Sequence, residues 1–130
     1  NPARSQEASK LFEAAVNESP SVSLRQNYAV FLFQHGRLED AATQLELILD
    51  ADDSATHAAR MLADVYKRQK NAKAGKKLQL RMLRRGYTDL CGEREYAAWS
   101  RASLKAGKVV SEKLATSIRD CAIIADTEGH

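Results

Sequence analysis

Apolar residues recur along this chain with a helical period that breaks at nearly regular intervals. Leu11, Phe12, Ala15 and Val16 share one face of a helix that closes over Asn17 to Pro20. Leu24, Tyr28, Ala29 and Leu32 repeat the spacing up to His35 and Gly36, and Leu38, Ala41, Ala42, Leu45, Ile48 and Leu49 carry it to Asp50. After Ser54, read as an N-cap, come Ala58, Leu62, Val65 and Tyr66, then Ala74, Leu78, Met82 and Leu83 up to Gly86. Trp99 and Leu104 mark a sixth helix ending near Gly107, and Val110, Leu114, Ile118, Cys121 and Ala125 a seventh. About seven helices of roughly 12–18 residues with short joints predict an all-α chain.

The interruptions are periodic. The small residues that follow the turns, Ala8, Ala41 and Gly75, lie 33 and 34 positions apart, and Ser5 to Phe12 align with Leu38 to Leu45. Tyr28, Ala29 and Leu32 match Leu62, Ala63 and Tyr66, again 34 apart. A helix–turn–helix of this length hides its apolar side only by stacking on its neighbours. The small positions allow two helix axes to approach where they cross, which Ala29, Ala41, Ala63 and Gly75 provide.

These residues resemble the tetratricopeptide repeat family. Residues 22–55 supply Tyr28, Ala29, Leu32, Gly36, Ala41, Leu45 and Ile48, with Asp53 where the closing proline would stand. Residues 56–89 supply Leu62, Ala63, Tyr66, Gly75 and Met82, with Lys70 in place of the turn glycine. Residues 5–20 read as the second helix of a truncated repeat, through Ala8, Phe12, Ala15 and Pro20. Residues 93–126 form a divergent or capping repeat (Tyr96, Trp99, Ser100, Gly107, Ser111, Ala115, Ile118) after an insertion around Arg85 to Gly92. The resemblance implies a single domain over 1–130, an α-solenoid of antiparallel helix pairs in a right-handed superhelix. It also implies a non-catalytic protein–protein interaction scaffold that holds a partner segment in its concave groove.

Composition narrows the classes. The 130 residues include 21 alanines but only six glycines and two prolines, Pro2 and Pro20, too few turn formers for a sandwich or barrel. No apolar run approaches the roughly 18–20 residues a membrane span needs, and no signal-peptide layout opens the chain. The start at Asn1-Pro2 rather than Met reads as a fragment or a processed product. Two cysteines, Cys91 and Cys121, lie 30 positions apart with no CxxC or His spacing for zinc. A chain this long does not need a disulfide framework, so Cys121 is expected as a small core residue and Cys91 as an unremarkable loop residue.

Charge is lopsided. Residues 1–66 carry five basic and ten acidic side chains, net −5; residues 67–130 carry fifteen and seven, net +8. Such asymmetry points to a charged partner. Nothing resembles an active site: His35, His57 and His130 lack nucleophile or ligand partners, and the glycines are isolated. Acid pairs such as Glu39-Asp40 suit helix starts. The expectation is no catalysis, no metal and no cofactor.

By the register of the resemblance, the groove would be lined by Gln26, Asn27, Val30, Phe33 and Gln34. His57, Arg60, Met61, Asp64, Lys67 and Arg68 would follow, and then Arg94, Arg101 and Lys105. Six basic residues against one acid would suit an acidic peptide or a free carboxylate, with Phe33, read as exposed, and Met61 as apolar anchors. Asn27 matches one position of the carboxylate clamp found in some repeats of this family. His57 and Met61 stand where its Lys and Arg would be, so chaperone-tail binding is not expected.

A second basic feature runs from Lys67 to Arg85, with nine basic residues and no acid. Lys73, Lys77, Arg81 and Arg84 form a stripe, with Lys76 alongside; like charges at this spacing oppose helix stability by about 0.2–0.5 kcal/mol per pair. A solvated face accounts for it, or else an anionic surface or nucleic acid that it binds. Aromatic residues are not interleaved with the basic ones, which argues against single-strand stacking. Self-association of the acidic 39–53 region with the basic 67–85 region is a third option.

Overall fold

The computed structural model describes residues 2–52, 54–106 and 111–128. Asp53, Gly107, Val110 and the side chain of Ala125, assigned above to a repeat end, a turn and the last apolar stripe, lie outside the described residues. Among the described residues there are seven α-helices and no strand. They are α1 (Pro2–Glu18), α2 (Val22–Gln34), α3 (Leu38–Ala51), α4 (Thr56–Arg68), α5 (Ala72–Arg84), α6 (Arg94–Lys105) and α7 (Glu112–Glu128). The chain is all-α, and none of its helices is long and apolar enough to cross a membrane among the described residues.

Helix bounds recur with the sequence period. Both ends of α4 lie 34 residues beyond those of α2, and α5 starts 34 residues after α3. The turns recur too: Gly36 (φ 75°) and Lys70 (φ 55°), 34 apart, both take the left-handed conformation. Glycine adopts it freely, whereas lysine bears a steric cost there.

Ser21 caps α2 by accepting the Leu24 amide at 3.1 Å, and Asn71 caps α5 by accepting that of Ala74 at 3.2 Å. Ser54 is not a cap. Asp52 captures its amide and hydroxyl in a local turn, and α4 begins two residues later with Ala55 as its uncapped N-cap.

The chain divides into two compact units, Asn1–Gln69 and Lys70–His130. The boundary falls inside the stretch 56–89 that the sequence reads as one repeat, so α4 belongs to the first unit and α5 to the second.

In the first unit α1 packs on α2, and α3 packs on both α2 and α4. Its core is Tyr28, Ala29 and Leu32 of α2, Ala41, Leu45, Ile48 and Leu49 of α3, and Leu62, Ala63, Val65 and Tyr66 of α4. Of the apolar face expected on α1, only Val16 is buried; Phe12 and Ala15 are half-buried and Leu11 is exposed. A polar chain crosses the α1–α2 junction. Arg37 donates to the Ser9 hydroxyl at 2.6 Å, Ser9 meets the Tyr28 hydroxyl at 3.2 Å, and Tyr28 donates to Glu13 at 3.1 Å. Burial raises the Tyr28 pKa above its ordinary 10.0. Asp40, 2.7 Å from the Arg37 guanidinium, raises the arginine's pKa further.

In the second unit α7 packs on α5 and α6, and α5 on α6. Leu83, Cys91, Leu114, Ile118 and Cys121 form its core, with Leu80, Trp99 and Ile124 packed against it. Cys91 and Cys121 are joined as a disulfide, with Cα atoms 4.9 Å apart, and no free cysteine remains. This corrects the expectation drawn from the sequence, and the reason is size. The whole chain is long enough to do without a crosslink, but the second unit spans only residues 70–130, a length at which small domains often depend on one.

Gly75 lies against Tyr96: a Cβ there would sit 2.6 Å from the phenol oxygen. The glycine is what lets α5 approach α6. Gln79, 1% exposed, donates to the Ser100 hydroxyl at 2.9 Å, and Ser100 donates to the Tyr96 carbonyl at 2.9 Å. The Gln79 Oε1 is buried without a partner.

Candidate interaction surfaces

The first surface lies on α2 and α4. Ala29 and Leu32 of α2 and Ala58, Leu62, Ala63, Val65 and Tyr66 of α4 are buried, Tyr28 and Phe31 of α2 pack on Phe12 of α1, and the remaining positions of both helices are partly or fully exposed. The 34-residue displacement puts Gln26 and Arg60, Asn27 and Met61, Val30 and Asp64, and Phe33 and Lys67 at equivalent positions of the two helices. Asn27, Arg60, Asp64 and Lys67 are exposed; Val30, Phe33 and Met61 are half-buried. Phe33, read from the sequence as an open anchor, is partly covered. The Arg68 guanidinium carbon sits 4.4 Å from its ring centroid, a cation–π contact that brings the last turns of α2 and α4 together.

Electrostatically this side changes character along the chain. The α2 positions are amides and apolar groups, while α4 presents Arg60, Lys67 and Arg68 around Asp64. Lys67 and Arg68 also sit in the last turn of α4, where the helix dipole favours cations.

Arg101, assigned to the same groove by register, belongs to the second unit. It is half-buried and forms an ion pair with Asp126, linking α6 to α7. Sequence register could not show this, since Asp126 is distant in the chain and on another helix.

The second surface is the outer side of α5. Gly75, Leu78, Gln79, Met82 and Leu83 turn inward, and Lys73, Lys76, Lys77 and Arg84 are exposed, with Arg81 half-buried. Among the described residues Lys73, Lys76, Lys77 and Arg84 have no hydrogen bond or ion pair. Arg81 and Arg84 occupy the last turn of α5, so the helix dipole offsets part of their repulsion. Of the stripe expected from the sequence, Lys73, Lys77 and Arg84 are exposed, while Arg81 is half-buried. Lys113 of α7 reaches the turn beyond it, its Cε 3.2 Å from where a Gly86 Cβ would lie.

No group of three or more His, Cys, Asp or Glu side chains among the described residues is arranged to hold a metal ion. Cys91 and Cys121 are consumed by their crosslink. The sequence offered one hint of that pairing: the chain has two cysteines, and one of them sits in the apolar stripe of α7.

Compared with known proteins, the chain matches no family model, no curated protein and no solved structure.

Proposed function

We propose that this protein is a non-catalytic interaction scaffold of tetratricopeptide-like helix pairs that holds an extended or helical segment of a partner protein. The segment lies on the outer side of α2 and α4 and has acidic character. The observation that carries the reading is the displacement of α2 onto α4 by one constant period, which sets two rows of accessible side chains in the same register. Asn27 and Val30 line one row, Arg60, Met61, Asp64 and Lys67 the other. The Phe33–Arg68 pair closes their shared end. The basic groups steer and orient the segment, and Met61 and Val30 provide apolar contact.

The test is a titration with an acidic peptide library at two ionic strengths, with Arg60→Glu and Met61→Ala as variants. Binding that weakens with salt and falls at least tenfold in Arg60→Glu supports the reading. A salt-independent titration, or full binding by Arg60→Glu, overturns it.

The exposed row of Lys73, Lys76, Lys77 and Arg84 favours a second reading, in which α5 contacts nucleic acid or an anionic surface. Paired reversals Lys73→Glu and Lys77→Glu would abolish binding to duplex DNA or anionic vesicles there and leave peptide binding intact. Light scattering at low and high salt tests self-association through the acidic and basic regions; a mass that stays monomeric in both rejects it.

A further inference from the structure

Resting on the second reading of α5, we propose that Lys70, Lys73, Lys76, Lys77 and Arg84 bind the phosphate backbone of duplex DNA without reading its sequence. All five side chains are exposed and belong to the unit Lys70–His130. Around the axis of α5, Lys73, Lys76, Lys77 and Arg84 fall within an arc of about 100°, and Lys73 and Arg84 stand about 16 Å apart along it. Half-buried Leu80 lies inside that arc, packed on the core of the unit. The charges therefore form a lysine group at the start of the helix, with Arg84 at its end.

The lysine group is costly to the protein by itself. The first turn of α5 has no acidic residue. The positive end of the helix dipole adds to lysines that already repel one another at i, i+3 and i, i+4. Lys70 also holds the left-handed conformation (φ 55°) that Gly36, 34 positions earlier, adopts freely. A polyanion laid along the row offsets the charge repulsion of all these groups at once.

The rest of α5 decides which polyanion. A protein interface needs an apolar centre, yet the exposed large hydrophobics among the described residues, Leu11, Val22, Leu47, Leu104 and Ile123, all lie outside α5. A helix lying on lipid inserts its apolar face, whereas Leu78, Met82 and Leu83 are buried within their own unit. Single strands stack on aromatic rings, and α5 has none. Double-stranded RNA offers 2′-hydroxyls to polar side chains, but Gln79, the one uncharged polar side chain of α5, is buried. Duplex DNA requires none of these. It carries one negative charge per about 1.7 Å of axis, and each neutralised phosphate releases counterions. A row of this length spans about five phosphates of one strand.

The test is fluorescence anisotropy of the full chain with two labelled 20-base-pair duplexes of unrelated sequence, titrated between 50 and 200 mM KCl. Five phosphate contacts give a log–log salt slope of about −4.5, hence roughly 500-fold weaker binding at the higher salt. Lys73→Gln with Lys77→Gln should flatten the slope by about 1.8 on both duplexes. A charge-matched control at exposed positions elsewhere, Lys10→Gln with Arg119→Gln, should keep it. Circular dichroism checks that each variant folds. No duplex binding at 50 mM KCl, a tenfold preference between the duplexes, equal binding of a single strand, or equal flattening by the control pair each overturns the proposal. Binding to phosphatidylserine vesicles but not to the duplexes, lost in the Lys73 and Lys77 variant, also overturns it but leaves the reading of α5 as an anion-contacting helix standing. Duplex and vesicle binding both unaffected by that variant, or both absent, defeats the two together.

Discussion

The two units bury their polar groups and hold their helices together in different ways. In Asn1–Gln69, three helices of regular period stack around Leu32, Leu45, Ile48 and Leu62. The polar atoms at the α1–α2 junction form a chain from Arg37 through Ser9 and Tyr28 to Glu13. Lys70–His130 has a smaller apolar cluster gathered on a disulfide, and its most buried amide leaves one oxygen unpaired. Charge divides along the same line. Residues 1–69 carry seven basic and ten acidic side chains, net −3, and residues 70–130 carry thirteen and seven, net +6. A well-packed repeat core needs no crosslink, whereas a small, highly charged unit gains most from limiting its unfolded ensemble.

The largest expected effect removes that crosslink. Replacing both Cys91 and Cys121 by Ala should cost about 3–4 kcal/mol for a closed loop of this size. The measurement is residue-resolved hydrogen exchange: protection should fall in α5 to α7 and persist in α2 to α4. Equal loss on both sides would break the contrast between the units.

Next comes Gly75→Ala. A methyl group there collides with the buried Tyr96 ring, and overpacking of this kind costs about 1–3 kcal/mol. The better helix propensity of alanine returns about 1 kcal/mol, so net destabilisation of the second unit is expected in urea titration. A rise in the unfolding midpoint would show that α5 and α6 can separate without cost.

Tyr28→Phe and Gln79→Met sharpen the comparison because they should have opposite signs. Loss of the Tyr28 hydroxyl interrupts a satisfied hydrogen-bond chain around a buried tyrosine and should destabilise by about 1–2 kcal/mol. Gln79→Met keeps shape, gives up one neutral hydrogen bond and removes an unpaired carbonyl, so stability should stay level or rise by about 1 kcal/mol. Thermal unfolding of both variants reads the two signs directly.

The smallest effect is one of pH. The Tyr28 pKa is raised in the folded protein, so the unfolded chain releases that proton first. The stabilisation is therefore complete below the unfolded value near 10.0 and is lost as pH rises through the folded value. Midpoints measured from pH 9 upward should fall more steeply for the native sequence than for Tyr28→Phe. Parallel slopes would remove Tyr28 from the account.

Much of the helical layout was legible in the chain. The 3.6-residue spacing of Leu24, Tyr28 and Leu32, or of Leu62, Val65 and Tyr66, reflects which side of a helix must leave water. Turns at Gly36 and Gly86 show because a left-handed residue calls for glycine. Ser54 misled: its side chain suits a cap, but Asp52 two residues earlier competes for it. On the interaction surfaces, exposure of Asn27, Arg60 and the α5 lysines followed from periodicity, while the cover that Arg68 places on Phe33 did not.

By itself the sequence determined the number of helices, their period of about 34 residues, the small residues at close crossings and the acidic-to-basic gradient. Each of these is a local or composition-level property, set by the spacing of side chains along one backbone. Only the tertiary structure decided that Cys91 meets Cys121, that Arg101 is taken by Asp126, and that Leu11 of the apolar face of α1 is exposed. Those facts depend on which helix lies beside which, and contacts between residues distant in the chain leave no periodic trace in it.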